Sequence, residues 1–267
     1  MFRSSCQKLI FTFFLLILML SGCTTAGKGR ENAVSPGELI PGGCSTYISG
    51  KLDVLPGSFR KLLKDYGVPS GILRKTDRVY VATGDGGKYT VLFTGDFKGA
   101  GVRSVLGMKE RFIRSEEAEY LYYDSESESH IYVPDRHTVL FSQEKPEAFI
   151  GSSFQETEKK LEEAGIFTED IFIYGETEDF SVITSAAATD GNFVFNSVFD
   201  FGSRKKAKIF STVIRLYVVD LINRNSLDAD TGCVSVEGSL IRISNFPVPK
   251  DKLDSIFNFY KSEFTGK

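Results

Sequence analysis

The chain has 267 residues, of which 42% are hydrophobic and 25% charged, a balance that excludes a disordered or collagen-like polypeptide and allows one large domain or two small ones. Its 32 basic residues against 35 acidic ones give a formal net charge of −3. A mildly acidic body argues against nucleic acid as a partner.

The N-terminus departs from that average. Arg3 and Lys8 flank a polar start, and residues 9–20 are apolar apart from Thr12. Positive charge followed by a short apolar core reads as a secretion signal over residues 1–22, too short to span a bilayer. Leu20-Ser21-Gly22-Cys23 then resembles the lipobox of bacterial lipoproteins, in which a branched residue and two small ones precede a cysteine. The resemblance covers only this leader and Cys23. It implies that diacylglycerol is attached to the Cys23 thiol, that signal peptidase II cleaves just before it, and that the new amino terminus is N-acylated. One acyl chain holds a protein marginally and two or three hold it stably, at about 0.8 kcal/mol per buried methylene. The expected product is therefore anchored to a membrane through its lipid and does not cross it. Thr24, where an aspartate would signal inner-membrane retention, resembles the enterobacterial pattern for the outer membrane. Loss of the leader removes Arg3 and Lys8, leaving 30 basic against 35 acidic residues.

Residues 23–44 are rich in Gly, Pro, Ser, Thr and charge, as a lipidated tether should be, with a reach of about 25 Å over some twenty residues. Two α+β lobes are expected beyond it, 45–152 and 153–267, because one unit recurs. Tyr80-Val81-Ala82-Thr83-Gly84 followed by Tyr89-Thr90-Val91-Leu92 aligns with Ile171-Phe172-Ile173-Tyr174-Gly175 followed by Phe180-Ser181-Val182-Ile183. Both read as strand, turn, strand, the first turning at Asp85-Gly86-Gly87. Each is preceded by a short helix, one opened by Ser58-Phe59 and closed at Gly67, the other opened by Ser153-Phe154 and closed at Gly165. The shared order points to a tandem duplication.

The halves then diverge. In the first, residues 119–123 and 130–133 read as strands around a turn at 124–129, and 138–142 as a strand before Pro146. In the second, 192–201 reads as a strand entered through Asp190-Gly191, and 240–244 as a strand followed by Pro247 and Pro249. Between them, residues 209–222 are the longest apolar stretch of the body. Ile209, Phe210, Val213, Ile214, Tyr217 and Leu221 keep helical spacing and predict a buried helix. Hairpins in this order predict antiparallel sheet with helices on one face of each lobe, not a doubly wound fold.

Catalytic patterns are sparse. Gly84-Asp85-Gly86-Gly87-Lys88-Tyr89 lacks the first glycine, the hydroxyl residue and the following helix of a phosphate loop, and reads as a tight turn. His130 and His137 lie in no ligand cluster. Asp228 and Asp230 start a calcium-like run, but Gly232 comes one place early and Ser239 stands where a bidentate carboxylate belongs. No metal is expected. Asp135-Arg136-His137 offers an acid and an imidazole, and Glu116-Glu117 two carboxylates, but strand neighbours point to opposite faces and a turn explains the first.

Binding residues remain. Arg204, Lys205, Lys206 and Lys208 form the densest cationic segment and could meet anionic headgroups or phosphorylated glycans, the alternative being a solvated face. Tyr120, Tyr122, Tyr123 and Tyr132 lie in paired strands, where they suit either a sugar or protein partner or the core. Cys44 and Cys233, left over in an oxidising compartment, are either a disulfide, stabilising by up to about 5 kcal/mol, or two thiols. The sequence thus predicts a noncatalytic envelope lipoprotein that binds or scaffolds another envelope component, a protein or a glycan. The alternatives are an envelope hydrolase acting on lipid, glycan or peptide, and a carrier of an apolar ligand beneath the 209–222 helix.

Overall fold

The computed structural model describes residues 34–65, 70–84, 88–108, 110–116, 118–125, 128–146, 159 and 161–255. The leader, Cys23, most of the tether, the turn at Asp85-Gly86-Gly87, Glu117, Gly67 and Ser153-Phe154 lie outside the described residues. In chain order the elements are α1 (Pro36–Leu39), β1 (Thr46–Lys51), α2 (Gly57–Asp65), α3 (Ser70–Leu73), β2 (Thr76–Thr83), β3 (Tyr89–Gly95), α4 (Gly99–Gly107), β4 (Phe112–Arg114), β5 (Leu121–Asp124), β6 (Ser129–Tyr132), β7 (Thr138–Ser142), β8 (Ile171–Glu176), β9 (Ser181–Ala188), β10 (Asn192–Asp200), α5 (Arg204–Asn225), β11 (Val234–Glu237) and β12 (Leu240–Pro249). Helix and strand are mixed, and the strand pairs described below are antiparallel. The chain forms two compact units. The first takes the chain up to Cys44, Lys51–Asp53 and Arg60–Lys160, and the second takes Ser45–Gly50, Val54–Phe59 and Leu161–Lys267.

In the first unit the strands run β2-β3-β7-β6-β5-β4. Leu92 and Leu140 face each other across β3 and β7, as do Phe93 and Val139 one position along, and all four are fully buried. Adjacent strand residues point to opposite faces, so this sheet is covered on both sides. The α4 helix lies on one of them, where the Tyr122 hydroxyl donates to the Arg103 carbonyl at 3.3 Å. Its first residue has to be glycine, because a Cβ on Gly99 would sit 2.4 Å from the Asp135 carbonyl oxygen.

In the second unit the order is β1-β8-β9-β10-β12-β11. Pro247 and Pro249 fall inside β12, not after it as the sequence suggested. They are tolerated because β11 pairs only with residues 240–243, which leaves the far half of β12 bonded on one side alone. One sheet face carries Ile171, Ala186, Phe193, Ile241, Phe246 and Val248 into a core closed from above by Ala207, Phe210, Ile214, Val218 and Leu221 of α5. Phe210 stacks on Phe201 with ring centroids 4.8 Å apart and planes at 13°.

The 209–222 stretch is therefore helical, but it is not buried all round. Ile209 is 60% exposed, Val213 57%, Leu216 63% and Tyr217 47%, so three of the six residues expected in the core point outward. Replacing Phe210 by Ala removes a stacked ring and should cost about 3 kcal/mol in denaturant unfolding, whereas Leu216→Ala should stay within about 0.5 kcal/mol of the parent. Equal losses would mean the faces are assigned wrongly.

A second long-range tie joins the helical turn at 250–255 to the start of α2. The Asp254 carboxylate accepts from the Ser58 hydroxyl, from Ser58 N–H at 2.8 Å and from Gly57 N–H at 3.3 Å. These bonds, led by the hydroxyl, hold its carboxyl below the ordinary value of 3.8. A depressed carboxylate pKa means the native state binds fewer protons than the unfolded chain. Its stabilisation is present above that ordinary value and is lost as pH falls through the lower native value. The stability gap between the parent and Asp254→Ala should accordingly be full at neutral pH and shrink on acidification through that window in urea titrations.

Candidate functional site

In the second unit, the α5 helix carries four of the six large hydrophobic side chains left exposed among the described residues. Its ends are well determined by local chemistry. Ser203, in extended conformation, accepts from Lys206 N–H at 3.3 Å as N-cap, and Gly202 ahead of it takes φ 66°. At the other end Ser226 adopts the left-handed conformation, Ser226 N–H bonds to the Asn223 carbonyl, and Leu227 N–H reaches back to Ile222 O at 3.0 Å. Buried Leu227 packs in the same core as Ile222, completing a Schellman stop with serine in the usual glycine place.

Between those ends the helix carries three stripes. Ala207, Phe210, Ile214, Val218 and Leu221 face the sheet. Ile209, Val213 and Leu216 recur at the same helical spacing on the opposite side and are exposed. Arg204, Lys208 and Arg215 lie along one flank, above the β11–β12 hairpin, where Arg215 Nη2 donates to the Val234 carbonyl at 3.4 Å. The outward side also carries balanced charge: Lys206, three residues before Ile209, pairs through Nζ with Asp179 at 3.0 Å, and Asp220, four after Leu216, pairs with Arg224 Nε at 2.7 Å. Among the described residues neither Arg204 nor Lys208 forms an ion pair. These two side chains, with Val236 and Gly238 of the hairpin, line a cleft of about 340 Å³. Lys205 is exposed.

The basic start is unfavourable for the helix itself. No acidic residue occupies its first turn, and each cation near the positive end of the helix dipole costs some tenths of a kcal/mol. A local rule broken at a position facing solvent is where function is to be sought.

The four tyrosines do not form one surface. Tyr120, expected within a strand over 119–123, instead precedes β5 with φ 64°, and the Arg103 guanidinium lies 4.2 Å over its ring. Tyr122 is buried on the α4 side. Tyr123 and Tyr132 are half-buried on the opposite face, with Leu121 between their lines. His130 stands opposite Tyr123, ring centroids 5.2 Å apart, while Asp124, which lies in β5 and not in the turn, points to the other face and pairs with Arg111 at 3.2 Å. Imidazole, phenol and carboxylate therefore do not converge.

Nor does Asp135-Arg136-His137 make an acid–base pair. Buried Asp135 accepts from the backbone N–H groups of Val34 at 2.9 Å and His137 at 2.7 Å, not from the imidazole. The His137 ring is bracketed by the Gly95 carbonyl on Nδ1 and Arg136 Nε on Nε2, both at 3.0 Å. With Arg136 as obligate donor, Nε2 is the acceptor and Nδ1 carries the proton. Asp230 caps the short 3-10 turn Thr231–Cys233 by accepting from Gly232 N–H at 3.0 Å. Among the described residues no group of three His, Cys, Asp or Glu side chains gathers as metal ligands would.

Among the described residues neither Cys44 nor Cys233 takes part in a disulfide. Burial pushes the Cys233 thiol up. Burial also raises Tyr80 and Tyr174 to about 12, the latter helped by its 2.6 Å bond to Glu176. Each of these shifts moves a group away from titration near neutrality.

Sequence reasoning found the cations but missed the cleft and the outer stripe. Val236 and Gly238 lie some thirty residues beyond Arg204 and meet it only through the fold. The outer stripe did have a signal, the second apolar series Ile209, Val213, Leu216, but hydrophobicity alone does not tell which of two series turns inward.

The fold is thus an α+β architecture of antiparallel strands in which long α5 closes one face of the second unit. No protein-family model matches the chain, and no curated protein matches it in sequence. Among solved structures it is similar to crystal form I of TP0453, with a TM-score of 0.56 and 13% identity over 85% of this chain and 98% of that one. It is likewise similar to crystal form III of TP0453, with a TM-score of 0.54 and 14% identity over 84% and 98%. At this identity the likeness is one of fold.

Proposed function

We propose that the chain is a noncatalytic, lipid-anchored envelope protein whose second unit lays the outer side of α5 on the bilayer that holds its anchor, on the outer membrane in preference to the inner. The observation that carries this reading is the exposed series Ile209, Val213 and Leu216 on a helix already packed by its other side. Among the described residues no helix is long and apolar enough to cross a membrane, and lying in the interface needs only one apolar face.

The magnitudes are consistent with a second, weak membrane grip. Transfer of three largely exposed aliphatic side chains out of water is worth on the order of 3–5 kcal/mol, and each cation close to an anionic surface adds about 1 kcal/mol. That holds a free protein poorly. A covalent lipid on Cys23 and a flexible tether would keep α5 near the headgroups at high effective concentration, which is enough for such a grip to persist. An apolar carrier role is less well supported, because the space between sheet and helix is filled by Phe201, Phe210, Phe246 and their neighbours.

The same proposal includes an ancient duplication of the helix-and-hairpin unit. Its support is the shared order of α2 and α3 before the β2–β3 hairpin and residues 161–163 with left-handed Gly165 before the β8–β9 hairpin. The next strand laid beside each hairpin differs, β7 after a long excursion in one and β10 directly in the other.

The mature polypeptide carrying Cys23→Ser, and so no lipid, tests the membrane reading in flotation with vesicles of phosphatidylcholine and phosphatidylglycerol. The unacylated chain should float in part, and Val213→Asp with Leu216→Asp should leave it at the bottom while its unfolding midpoint stays within about 0.5 kcal/mol of the parent. Absence of any flotation, or equal flotation of the double variant, would reject the reading.

A further inference from the structure

We infer that the cleft between the first two turns of α5 and the β11–β12 hairpin binds a phosphate ester, with Arg204 and Lys208 as its cationic jaws. This deepens the membrane reading and rests on it for the source of the phosphate, a lipid headgroup.

The charges of α5 are answered unequally around the helix. On one side Lys206 is answered by Asp179 and Arg224 by Asp220. On the other, Arg215 is occupied with the Val234 carbonyl, and Arg204 and Lys208, one turn apart, face the same cleft with no carboxylate between them. The nearest acid in sequence on the hairpin, Glu237, is turned to Arg242 Nε at 3.1 Å. Glu237 is thereby kept from neutralising the pair.

The shape fits the charge. The cleft holds about 340 Å³, within the range of roughly 300–1,000 Å³ over which small-molecule sites fall. Its hairpin wall is Val236 and Gly238. Gly238 turns the chain at φ 62° and presents no side chain, and even a Cβ there would meet nothing within 4 Å. An anion therefore has open access to two cations from a wall that is partly apolar and partly bare backbone.

Phosphate is the anion that these groups suit. A guanidinium offers a planar fork for two oxygens, and an ammonium one turn away supplies a point charge to a third. A phosphate ester also relieves the unfavourable positive start of the helix, which a neutral sugar or an aliphatic ligand would not. Lys208 adjoins Ile209 in sequence, so a bilayer against the outer stripe brings headgroups to the height of this flank while the basic stems reach sideways to it.

The test uses the unacylated mature polypeptide with Cys23→Ser and reads the amide resonances of Val236 and Gly238 during titration with inorganic phosphate. A saturable shift is expected, absent in the Arg204→Gln, Lys208→Gln double variant and retained in Val213→Asp, Leu216→Asp. In parallel, affinity is measured for vesicles of phosphatidylcholine alone and with phosphatidylglycerol. The glutamine variant should lose on the order of tenfold on the anionic vesicles and little on the neutral ones.

Each result decides. No saturable shift, or an unchanged shift in the glutamine variant, overturns the cleft. A normal shift with no loss on anionic vesicles overturns the headgroup source and leaves a site for free phosphate. Flotation that fails while the phosphate shift persists rejects the membrane reading and spares the cleft.

Discussion

The apolar side that α5 turns to the sheet must be covered, and this requirement organises the second unit. One side of α5 is satisfied within the chain: Ala207 brings its first turns close to the sheet, and Phe210 stacks on Phe201. The aromatic density of β10, with Phe193, Phe195 and Phe199 on the same face, supplies the other half of that core. Tight capping at Ser203 and Ser226 then fixes where the helix starts and stops, and hence which residues are left outside. The outer stripe is a consequence of that register. It cannot be turned inward without lifting the inner one out.

The cost of leaving Ile209, Val213 and Leu216 in water is modest for a folded domain, and singly exposed aliphatic residues need no explanation. What asks for one is their coincidence on a single helix with a basic flank, in a chain whose residues 20–23 resemble a lipobox. A lipid anchor restricts a protein to two dimensions but says nothing about its orientation. A second contact of a few kcal/mol would orient the body, and a headgroup clasp at Arg204 and Lys208 would make that orientation depend on lipid charge. On that proposal the two features would divide the labour physically, apolar area giving adhesion and the paired cations giving selectivity.

How far the sequence spoke for this arrangement depends on how local each signal is. The β2–β3 and β8–β9 hairpins were legible because period-two alternation of β-branched and aromatic residues is confined to a dozen positions. β1 was not, since Tyr47 and Ser49 find their partners Tyr174 and Phe172 only after more than 120 residues have intervened. α4 was hidden by its three glycines, which propensity counts against a helix and which close approach to Asp135 requires at Gly99. For α5, existence was readable and orientation was not. Ile209, Val213 and Tyr217 precede Phe210, Ile214 and Val218 by one position each, so both series have the same period, and the distant core partners, Phe201 and the phenylalanines of β10 among them, select between them. His137 and Asp135 looked like chemistry because they adjoin in sequence. Their partners turned out to be backbone groups that no pattern of side chains announces.

The account turns on whether the outer side of α5 enters a bilayer. The chain contains no tryptophan, so Leu216→Trp places a single indole in the middle of that stripe. On addition of vesicles containing phosphatidylglycerol its emission should move to shorter wavelength and be quenched by brominated acyl chains. An emission maximum that stays where it was in buffer, with undiminished quenching by iodide, would show that the stripe remains in water.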